Sequence, residues 1–387
     1  MDLFTVITRT GLLDPSGITL DAKRCIRAKN RFSNCDKCVG GCPVHAIRFD
    51  PAVTLDQSQC VNCGLCLRIC PTDVFSGNDG VADLVNCAGK TGARDVLELA
   101  CALHPAPQLG PVETNAVIRA NGCLVAFGAS TLLRLLTSGT TRLIVRLDAC
   151  SECRIGKALP HIEQTVATVR ELFAQSENAN SVVALTAPAN GWQVRSVYEA
   201  KNPPVSRREM FGVFSLESKR LASRAFANAE SQTGETKRGP RERRRLISVL
   251  GSASSNRSMQ LQAQGLALVR LIADDKCTAC GTCARICPNG ALQFTTPTRD
   301  SYRLAFVTAA CMDCGVCASV CKPHALQRDG MPTLAELLAQ EPITLRAGSL
   351  CACDKCGARF ASVAETRLCP ICALRKPDPF VSRRTPA

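Results

Sequence analysis

The sequence predicts an α+β protein in which two cysteine-rich modules flank a small α/β domain, with a four-cysteine knuckle near the carboxyl terminus. One cysteine spacing recurs in four half-units, two before the middle of the 387-residue chain and two after it. Apolar strand-like and helical segments alternate between residues 81 and 200. Two C-x2-C pairs follow residue 349. These three observations define the predicted architecture.

The best-defined half-unit has the spacing C-x2-C-x2-C-x3-C-P and runs from Cys60 to Pro71. The spacing recurs twice downstream, and a variant upstream places its first cysteine ten residues before the second. The further half-units are Cys277, Cys280, Cys283 and Cys287-Pro288; Cys311, Cys314, Cys317 and Cys321; and the variant Cys25, Cys35, Cys38 and Cys42-Pro43. Short cysteine spacing on a tight loop suits ligation of one compact group, and the trailing proline prevents the loop from continuing as a helix.

This pattern resembles the bacterial ferredoxin motif, in which three cysteines bind one [4Fe-4S] cluster and the fourth binds its neighbour. The resemblance implies two ferredoxin-like 2x[4Fe-4S] modules, at 21–80 and 274–330, with four clusters. It also implies that the fourth ligands cross between half-units. The implied ligand sets are Cys25, Cys35, Cys38 and Cys70; Cys60, Cys63, Cys66 and Cys42; Cys277, Cys280, Cys283 and Cys321; and Cys311, Cys314, Cys317 and Cys287.

The residues after each fourth cysteine repeat as well. Each tail ends on a small or β-branched residue followed by a large apolar one, which predicts a short strand covering the cluster. His45 and His324 occupy the same place in this repeat, where packing against the loop is favoured over ligation or proton transfer.

Residues 81–200 predict an α/β domain. Short apolar segments between turn residues indicate buried strands, and longer segments with helical spacing indicate helices. The predicted strands are Val81 to Val85, Val96 to Ala100, Arg142 to Leu147 and Val182 to Leu185, and the predicted helices are Leu124 to Leu136 and Ile155 to Phe173.

Five cysteines of this domain, Cys87, Cys101, Cys123, Cys150 and Cys153, leave several interpretations open. The Cys150/Cys153 pair at a strand-to-helix turn suits a thioredoxin-like redox pair, a zinc site, or a fifth iron-sulfur cluster completed by Cys87 and Cys101. The segments Cys101-x2-His104-Pro-Ala-Pro and Asp148-Ala-Cys150-x2-Cys153-Arg are similar to the delta subunit of methyl-viologen-reducing hydrogenase. That resemblance implies an iron-sulfur centre in a small α/β domain, although this chain has a lone Cys87 and a shorter final spacing.

Residues 201–260 predict a basic linker. Ser206-Arg-Arg-Glu-Met-Phe211 resembles a twin-arginine signal, but it is internal and no apolar run follows, so a docking or linker helix is expected. The arginines at 241, 243, 244 and 245 predict a solvated or partner-facing tract, with nucleic-acid binding as the minority interpretation.

The segment 349–375 contains Cys353, Cys356, Cys369 and Cys372, two knuckles separated by twelve residues. This spacing is typical of a zinc ribbon with four thiolate ligands that staples a small segment. A rubredoxin-like mononuclear iron uses similar knuckles, so zinc and iron are alternatives.

The formal charge of +14 invites a nucleic-acid interpretation. An oxidised [4Fe-4S] core with four thiolates carries about −2, so four clusters reduce the charge to about +6. The 26 cysteines fall in C-x2-C groups and no apolar secretion segment opens the chain, which indicates a reducing, cytoplasmic location and no membrane span. Dinucleotide-binding, phosphate-loop and nucleophile-elbow motifs are absent from the sequence, so no catalytic residue is expected.

The chain resembles polyferredoxin-type electron-transfer subunits. The resemblance implies single-electron relay to or from a catalytic subunit with a molybdopterin, tungsten, flavin or nickel site, in a hetero-oligomer. Two rival hypotheses are a thiol-redox enzyme that uses Cys150 and Cys153, and an assembly or nucleic-acid-binding factor.

Overall fold

In a computed structural model, the structure describes residues 17–30, 33–91, 95–111, 114, 116–174, 181–187, 192–204, 239–253, 256–263, 265–339, 341–361 and 367–374. The chain divides into two units, residues 1–29 with 34–266 and residues 30–33 with 267–387, which are described separately. The predicted docking segment Ser206 to Phe211 lies outside the described residues.

The first unit begins with a small module of short elements around buried cysteines. Its strands are β1 (Thr19–Leu20), β2 (Ile47–Phe49), β3 (Val53–Leu55) and β4 (Phe75–Ser76). Its helical segments are the 3₁₀ turn Ala22–Arg24, α1 (Ile26–Lys29), α2 (Lys37–Gly41) and α3 (Leu65–Ile69). Strand β1 pairs antiparallel with β4, and β2 with β3. The buried core includes the sulfur-bearing Cys25, Cys66 and Cys70 beside Ile47 and Phe75. Apolar carbon therefore supplies only part of this core.

The middle of the first unit is a five-stranded parallel sheet. Its strands are β5 (Val96–Ala100), β7 (Ala116–Arg119), β8 (Arg142–Arg146), β9 (Ser181–Leu185) and β11 (Ser196–Glu199), and β6 (Leu109–Gly110) pairs separately with β10 (Gln193–Val194). The spatial order is β11, β7, β5, β8, β9, and every pairing is parallel. Parallel strands align their carboxyl ends at one edge. Strands β7, β5 and β8 therefore end side by side.

Helices connect these strands. They are α4 (Val81–Thr91), α5 (Ala129–Thr137) and α6 (Leu159–Ala174), with 3₁₀ turns at Leu124–Ala126 and Gly156–Ala158. The predicted strand Val81 to Val85 is wrong, because this segment forms the first turns of α4. Val81, Leu84 and Cys87 are buried at helical spacing, and the Asp79 carboxylate accepts the Val81 N–H at 3.2 Å. The predicted helix from Leu124 is divided, since the 3₁₀ turn ends before Gly128 and α5 starts at Ala129.

The arginine tract forms helix α7 (Arg241–Ala253), which packs against α5 and α3 within the first unit. Arg241 and Arg245 form ion pairs with Asp79, at 3.1 and 2.6 Å, and Arg244 pairs with Asp73 at 3.3 Å. Glu242 accepts hydrogen bonds from the Ser130 N–H and hydroxyl at the start of α5, where a carboxylate is favourable. These arginines are only partly exposed and pair with carboxylates of their own unit, so the expectation of a simply solvated tract is wrong for them.

The second unit repeats the design of the first module. Strand β12 (Leu271–Ala273) pairs antiparallel with β15 (Leu326–Arg328), while β13 (Leu292–Thr295), β14 (Ser301–Phe306) and β16 (Ile343–Ser349) form an antiparallel sheet in that order. Its helices are α8 (Thr282–Ile286), α9 (Val316–Ser319) and α10 (Leu334–Leu338), with a 3₁₀ turn at Thr308–Ala310.

The carboxyl-terminal knuckle follows β16. It contains β17 (Cys351–Ala352), β18 (Arg359–Phe360) and α11 (Pro370–Leu374), and β17 pairs antiparallel with β18. Arg359 pairs with Asp300, and the Ala361 N–H donates to the Thr278 carbonyl at 3.1 Å. The knuckle is thereby held against the preceding module within the second unit.

We expect Asp79→Asn to lower the free energy of unfolding by about 1–3 kcal/mol, because two arginines lose a largely buried carboxylate. The amide oxygen of the new asparagine can still accept the Val81 N–H. The decrease in the free energy of unfolding therefore measures the contribution of the ion pairs. Thermal unfolding of the anaerobic holoprotein measures the effect, with Asp95→Asn at an exposed position as the control. Equal unfolding temperatures for the two variants would contradict the assigned role of α7.

Candidate iron-sulfur and metal centres

The cysteines of the two modules line four cavities, each with cysteines from both half-units. In every cavity, three cysteines come from one half-unit, and the last cysteine of the other half-unit completes the quartet. The quartets are centre I, Cys25, Cys35, Cys38 and Cys70; centre II, Cys42, Cys60, Cys63 and Cys66; centre III, Cys277, Cys280, Cys283 and Cys321; and centre IV, Cys287, Cys311, Cys314 and Cys317. The structure therefore brings together the same groups that the crossed ferredoxin pattern implied.

The backbone of the C-x2-C loops is left-handed at equivalent positions. Asn62, Ala279 and Asp313, each before the second cysteine of its repeat, have φ of 49°, 55° and 47°. Non-glycine residues rarely adopt this conformation, and here it turns amides toward sulfur. The N–H groups of Leu65, Ala279 and Asp313 donate to the thiols of Cys63, Cys277 and Cys311, respectively. Amide donors to sulfur are what thiolate ligands of a cluster require.

A second left-handed position follows each fourth cysteine. His45, Asp73, Gly290 and His324 have φ of 54°, 49°, 64° and 52°. The N–H of His324 donates to the Cys321 carbonyl at 2.9 Å, and Gly290 makes the same bond to Cys287 at 3.3 Å. The His45 and His324 side chains are exposed. What the four turns share at this position is therefore a left-handed backbone, not an imidazole. Gly290, at the equivalent position, was the residue in the sequence that indicated this conformation.

Burial and mutual repulsion disfavour the thiolate form of several cysteines in these quartets. Burial is the largest cause that raises the pKa of Cys38 to about 12, and the nearby thiols of Cys70, Cys35 and Cys25 contribute to the same shift. The same causes raise the pKa of Cys283, Cys311 and Cys317 to about 12. Cys280 is an exception, because hydrogen bonds involving Thr282 and Thr278 lower its pKa despite burial. A positively charged iron-sulfur core offsets both burial and repulsion and takes thiolates as ligands, so the donor set fits such a core.

The four sulfur atoms of the carboxyl-terminal quartet lie close together. The sulfur atoms of Cys353, Cys356, Cys369 and Cys372 all lie within 4.8 Å of one another, and Cys356 and Cys369 are 3.7 Å apart. A tetrahedral ion with metal–sulfur bonds of about 2.3 Å requires sulfur separations of about 3.8 Å. The Cys369 N–H also donates to the Cys353 sulfur at 3.3 Å. This quartet therefore fits one metal ion.

In the α/β domain, four cysteines line one cavity at the carboxyl edge of the sheet: Cys101, Cys123, Cys150 and Cys153. Cys87, which the sequence interpretation placed with this group, is not among them. It is fully buried on α4, and its sulfur faces the Glu199 carbonyl at 3.8 Å. Cys123 takes the fourth place because it follows β7, a strand that sequence reasoning missed. The segment Val117-Ile118 before the Asn121-Gly122 turn was the available signal.

Comparison with known proteins identifies the cysteine-rich modules. A family model described as a 4Fe-4S dicluster domain matches residues 33–74 and 276–325. A ferredoxin from Methanothermococcus thermolithotrophicus is 31% identical over 61 residues, which are 15% of this chain and 93% of that ferredoxin. No solved structure matches the chain. No helix among the described residues is long and apolar enough to cross a bilayer.

We expect His324→Gly and His324→Asn to retain wild-type iron, because both residues tolerate a left-handed backbone. His324→Val should destabilise the second module by about 1–2 kcal/mol and release iron faster, since a β-branched residue disfavours this conformation. Anaerobic iron release to a chelator measures the difference. Equal iron loss in all three variants would instead assign a direct role to the imidazole.

Proposed function

The chain belongs to the ferredoxin family of 4Fe-4S dicluster proteins, and on that basis we propose that it relays single electrons through four [4Fe-4S] clusters. The proposed ligands are the quartets of centres I to IV. The partner is a catalytic oxidoreductase subunit, and the chain itself is a non-catalytic subunit of that complex.

The sharing of quartets between half-units carries this proposal. Because each half-unit contributes to two cavities, the two centres of a module are neighbours. Cys38 lines the cavities of both centre I and centre II. In the second module, the Cys283 thiol of centre III raises the pKa of the Cys317 thiol of centre IV. Adjacent redox centres in a chain without a recognised catalytic motif suit electron transfer between a donor and an acceptor.

Each bound cubane supplies a one-electron change between its 2+ and 1+ states. The chain's own residues hold and adjust it. The cysteine thiolates fix its position, amide donors such as those of Leu65 and Val74 favour negative charge on sulfur, and burial opposes it. Together these contributions set the potential of each centre.

The partner is proposed from this chemistry. A chain that only carries electrons requires a catalytic subunit, of molybdopterin, tungsten, flavin or nickel type, to use them. The α/β domain and the knuckle lie outside the matched regions, and we assign them to docking in a hetero-oligomer. We also assign the chain to a reducing, cytoplasmic setting, because ligation of clusters and metal requires cysteines in the thiolate form.

The nucleic-acid alternative has lost its main support, because Arg241, Arg244 and Arg245 pair with carboxylates of the same unit. The thiol-redox alternative is weakened because the Cys150/Cys153 pair faces two further cysteines across one cavity. Neither alternative is favoured by a specific observation.

We expect dithionite to bleach the visible absorbance of anaerobic protein, and Cys321→Ser and Cys287→Ser each to remove about four irons. The first variant should affect centre III and the second centre IV, because each residue lies in the cavity of the opposite repeat. Metal analysis and EPR of the reduced protein measure these losses. Cys351→Ser, outside every quartet, is the control and should keep all its iron. Clusters that resist reduction at every accessible potential would exclude electron relay.

We propose zinc for the carboxyl-terminal quartet and expect Cys369→Ser to remove about one zinc per chain without loss of iron. The segment should then become sensitive to protease, because structural metals contribute folding energy. Elemental analysis and limited proteolysis of this variant and of Cys351→Ser provide the comparison. A rubredoxin-like absorbance with iron in place of zinc would refute the metal assignment while leaving the relay intact.

A further inference from the structure

We propose that Cys101, Cys123, Cys150 and Cys153 bind a fifth iron-sulfur centre, next to centre II, which makes the α/β domain part of the electron path. This inference deepens the proposed relay and rests on it. It also replaces the ligand set that sequence proximity suggested, because Cys123 takes the place of Cys87.

The topology of the sheet brings the four cysteines together. Cys101 directly follows β5, Cys123 follows β7 and Cys150 follows β8. These three strands are adjacent and parallel, with β5 between the other two. Ligands of α/β proteins bind beyond the carboxyl ends of such strands. Four thiols from three neighbouring strand ends therefore converge where this fold builds its sites.

The loops present sulfur in the manner of the ferredoxin repeats. The Val125 N–H donates to the Cys123 thiol, two residues before it, as Leu65 does to Cys63. The N–H groups of Leu103 and His104 donate to the Cys101 thiol. The loops after β5 and β7 therefore direct amide donors at sulfur, as the loops of the ferredoxin repeats do.

The proposed group is a cluster and not a single ion. Among the described residues, the group whose ligand atoms all lie within 4.8 Å of one another is the quartet in the carboxyl-terminal knuckle. One ion holds its ligands about 3.8 Å apart, whereas a cluster spreads them over several metals. The four cysteines of the α/β domain line one cavity without forming such a compact group, and we therefore assign them to a cluster.

A buried charge network fixes one wall of this cavity. Arg146, which lines it, is fully buried and donates to Glu98 at 2.8 Å and to both Asp148 oxygens at 2.7 Å. Asp148 also contacts the His104 Nε2 at 3.2 Å, and His104 Nδ1 accepts the Ala106 N–H. The loop after β5 and the loop after β8 are thereby tied together, which holds Cys101 and Cys150 in fixed positions without metal.

Centre II lies against this site. The loop of centre II contacts the 3₁₀ turn that follows Cys123, and a Cβ at Gly64 would stand 2.8 Å from the Ala126 Cβ. The Cys63 thiol of centre II is also close enough to raise the pKa of Cys123. With clusters bound, Cys63 and Cys123 would hold neighbouring one-electron carriers, and a single electron could pass between them without exchange of a proton or a covalent bond.

The test compares Cys123→Ser with Cys87→Ser in the full-length, anaerobically purified protein. We expect Cys123→Ser to lose about two to four irons per chain, the content of one cluster, and one EPR signal after reduction. Cys87→Ser should retain the wild-type iron, sulfide and spectrum, because the Cys87 sulfur donates to the Glu199 carbonyl at 3.8 Å and does not line the cavity of the four cysteines. Wild-type iron in Cys123→Ser, or a second zinc with no additional iron, would overturn the proposal.

Alkylation of the wild-type holoprotein gives a readout that needs no variant. Iodoacetamide should leave Cys101, Cys150 and Cys153 unmodified until acid destroys the clusters, although all three are partly exposed. Modification of these thiols in protein that retains about sixteen irons would refute the fifth centre alone. Absence of any reducible iron would instead refute the proposed relay, so the two failures are distinguishable.

Discussion

The attraction between a cationic metal core and buried thiolates is the interaction on which both cysteine-rich modules depend. Their strands are two to seven residues long, and cysteine side chains fill positions that an ordinary core would give to aliphatic carbon. Burial alone opposes the charged form of Cys38 or Cys311. A bound cationic core would offset that penalty, so we expect cluster assembly to be coupled to folding of these modules.

The internal repeat is explained by the same requirement. A loop that directs several sulfurs and amides toward one point must turn sharply, and each half-unit achieves this with left-handed residues. Side-chain identity at those positions is free to vary, since Asp73, Gly290 and His324 all occupy the same turn. What repeats is therefore a backbone path, and the cysteines are the side chains that this path places.

Within a half-unit, cysteines two residues apart were informative because such spacing constrains local geometry without tertiary information. The crossed fourth cysteine of each quartet was instead implied by the resemblance to the ferredoxin motif, and it lines the expected cavity in each case. The sequence was less informative about contacts that depend on pairing between distant segments. Cys123 joins Cys101 only because the four-residue strand β7 lies beside β5, and Cys87 was favoured because it is near in sequence. The short apolar segment at Val81 suited a strand or a helix equally. The arginines of α7 find carboxylates more than 160 residues away, a relation that charge counting does not reveal.

The α/β domain is stabilised differently from the module beside it. Glu98, Arg146 and Arg195 form a fully buried cluster of ion pairs between strands, with the Trp192 ring 4.5 Å from the Arg146 guanidinium. Removal of one partner from such a cluster typically costs about 3–5 kcal/mol, because another charge is left buried and unpaired. This network needs no metal, so the sheet edge keeps its shape before any cluster is bound. Helix α7 joins the two parts, because its arginines pair with the ferredoxin module while Glu242 binds the start of α5. Through this helix and the contact between Gly64 and Ala126, the loop of centre II is tied to the turn that follows Cys123.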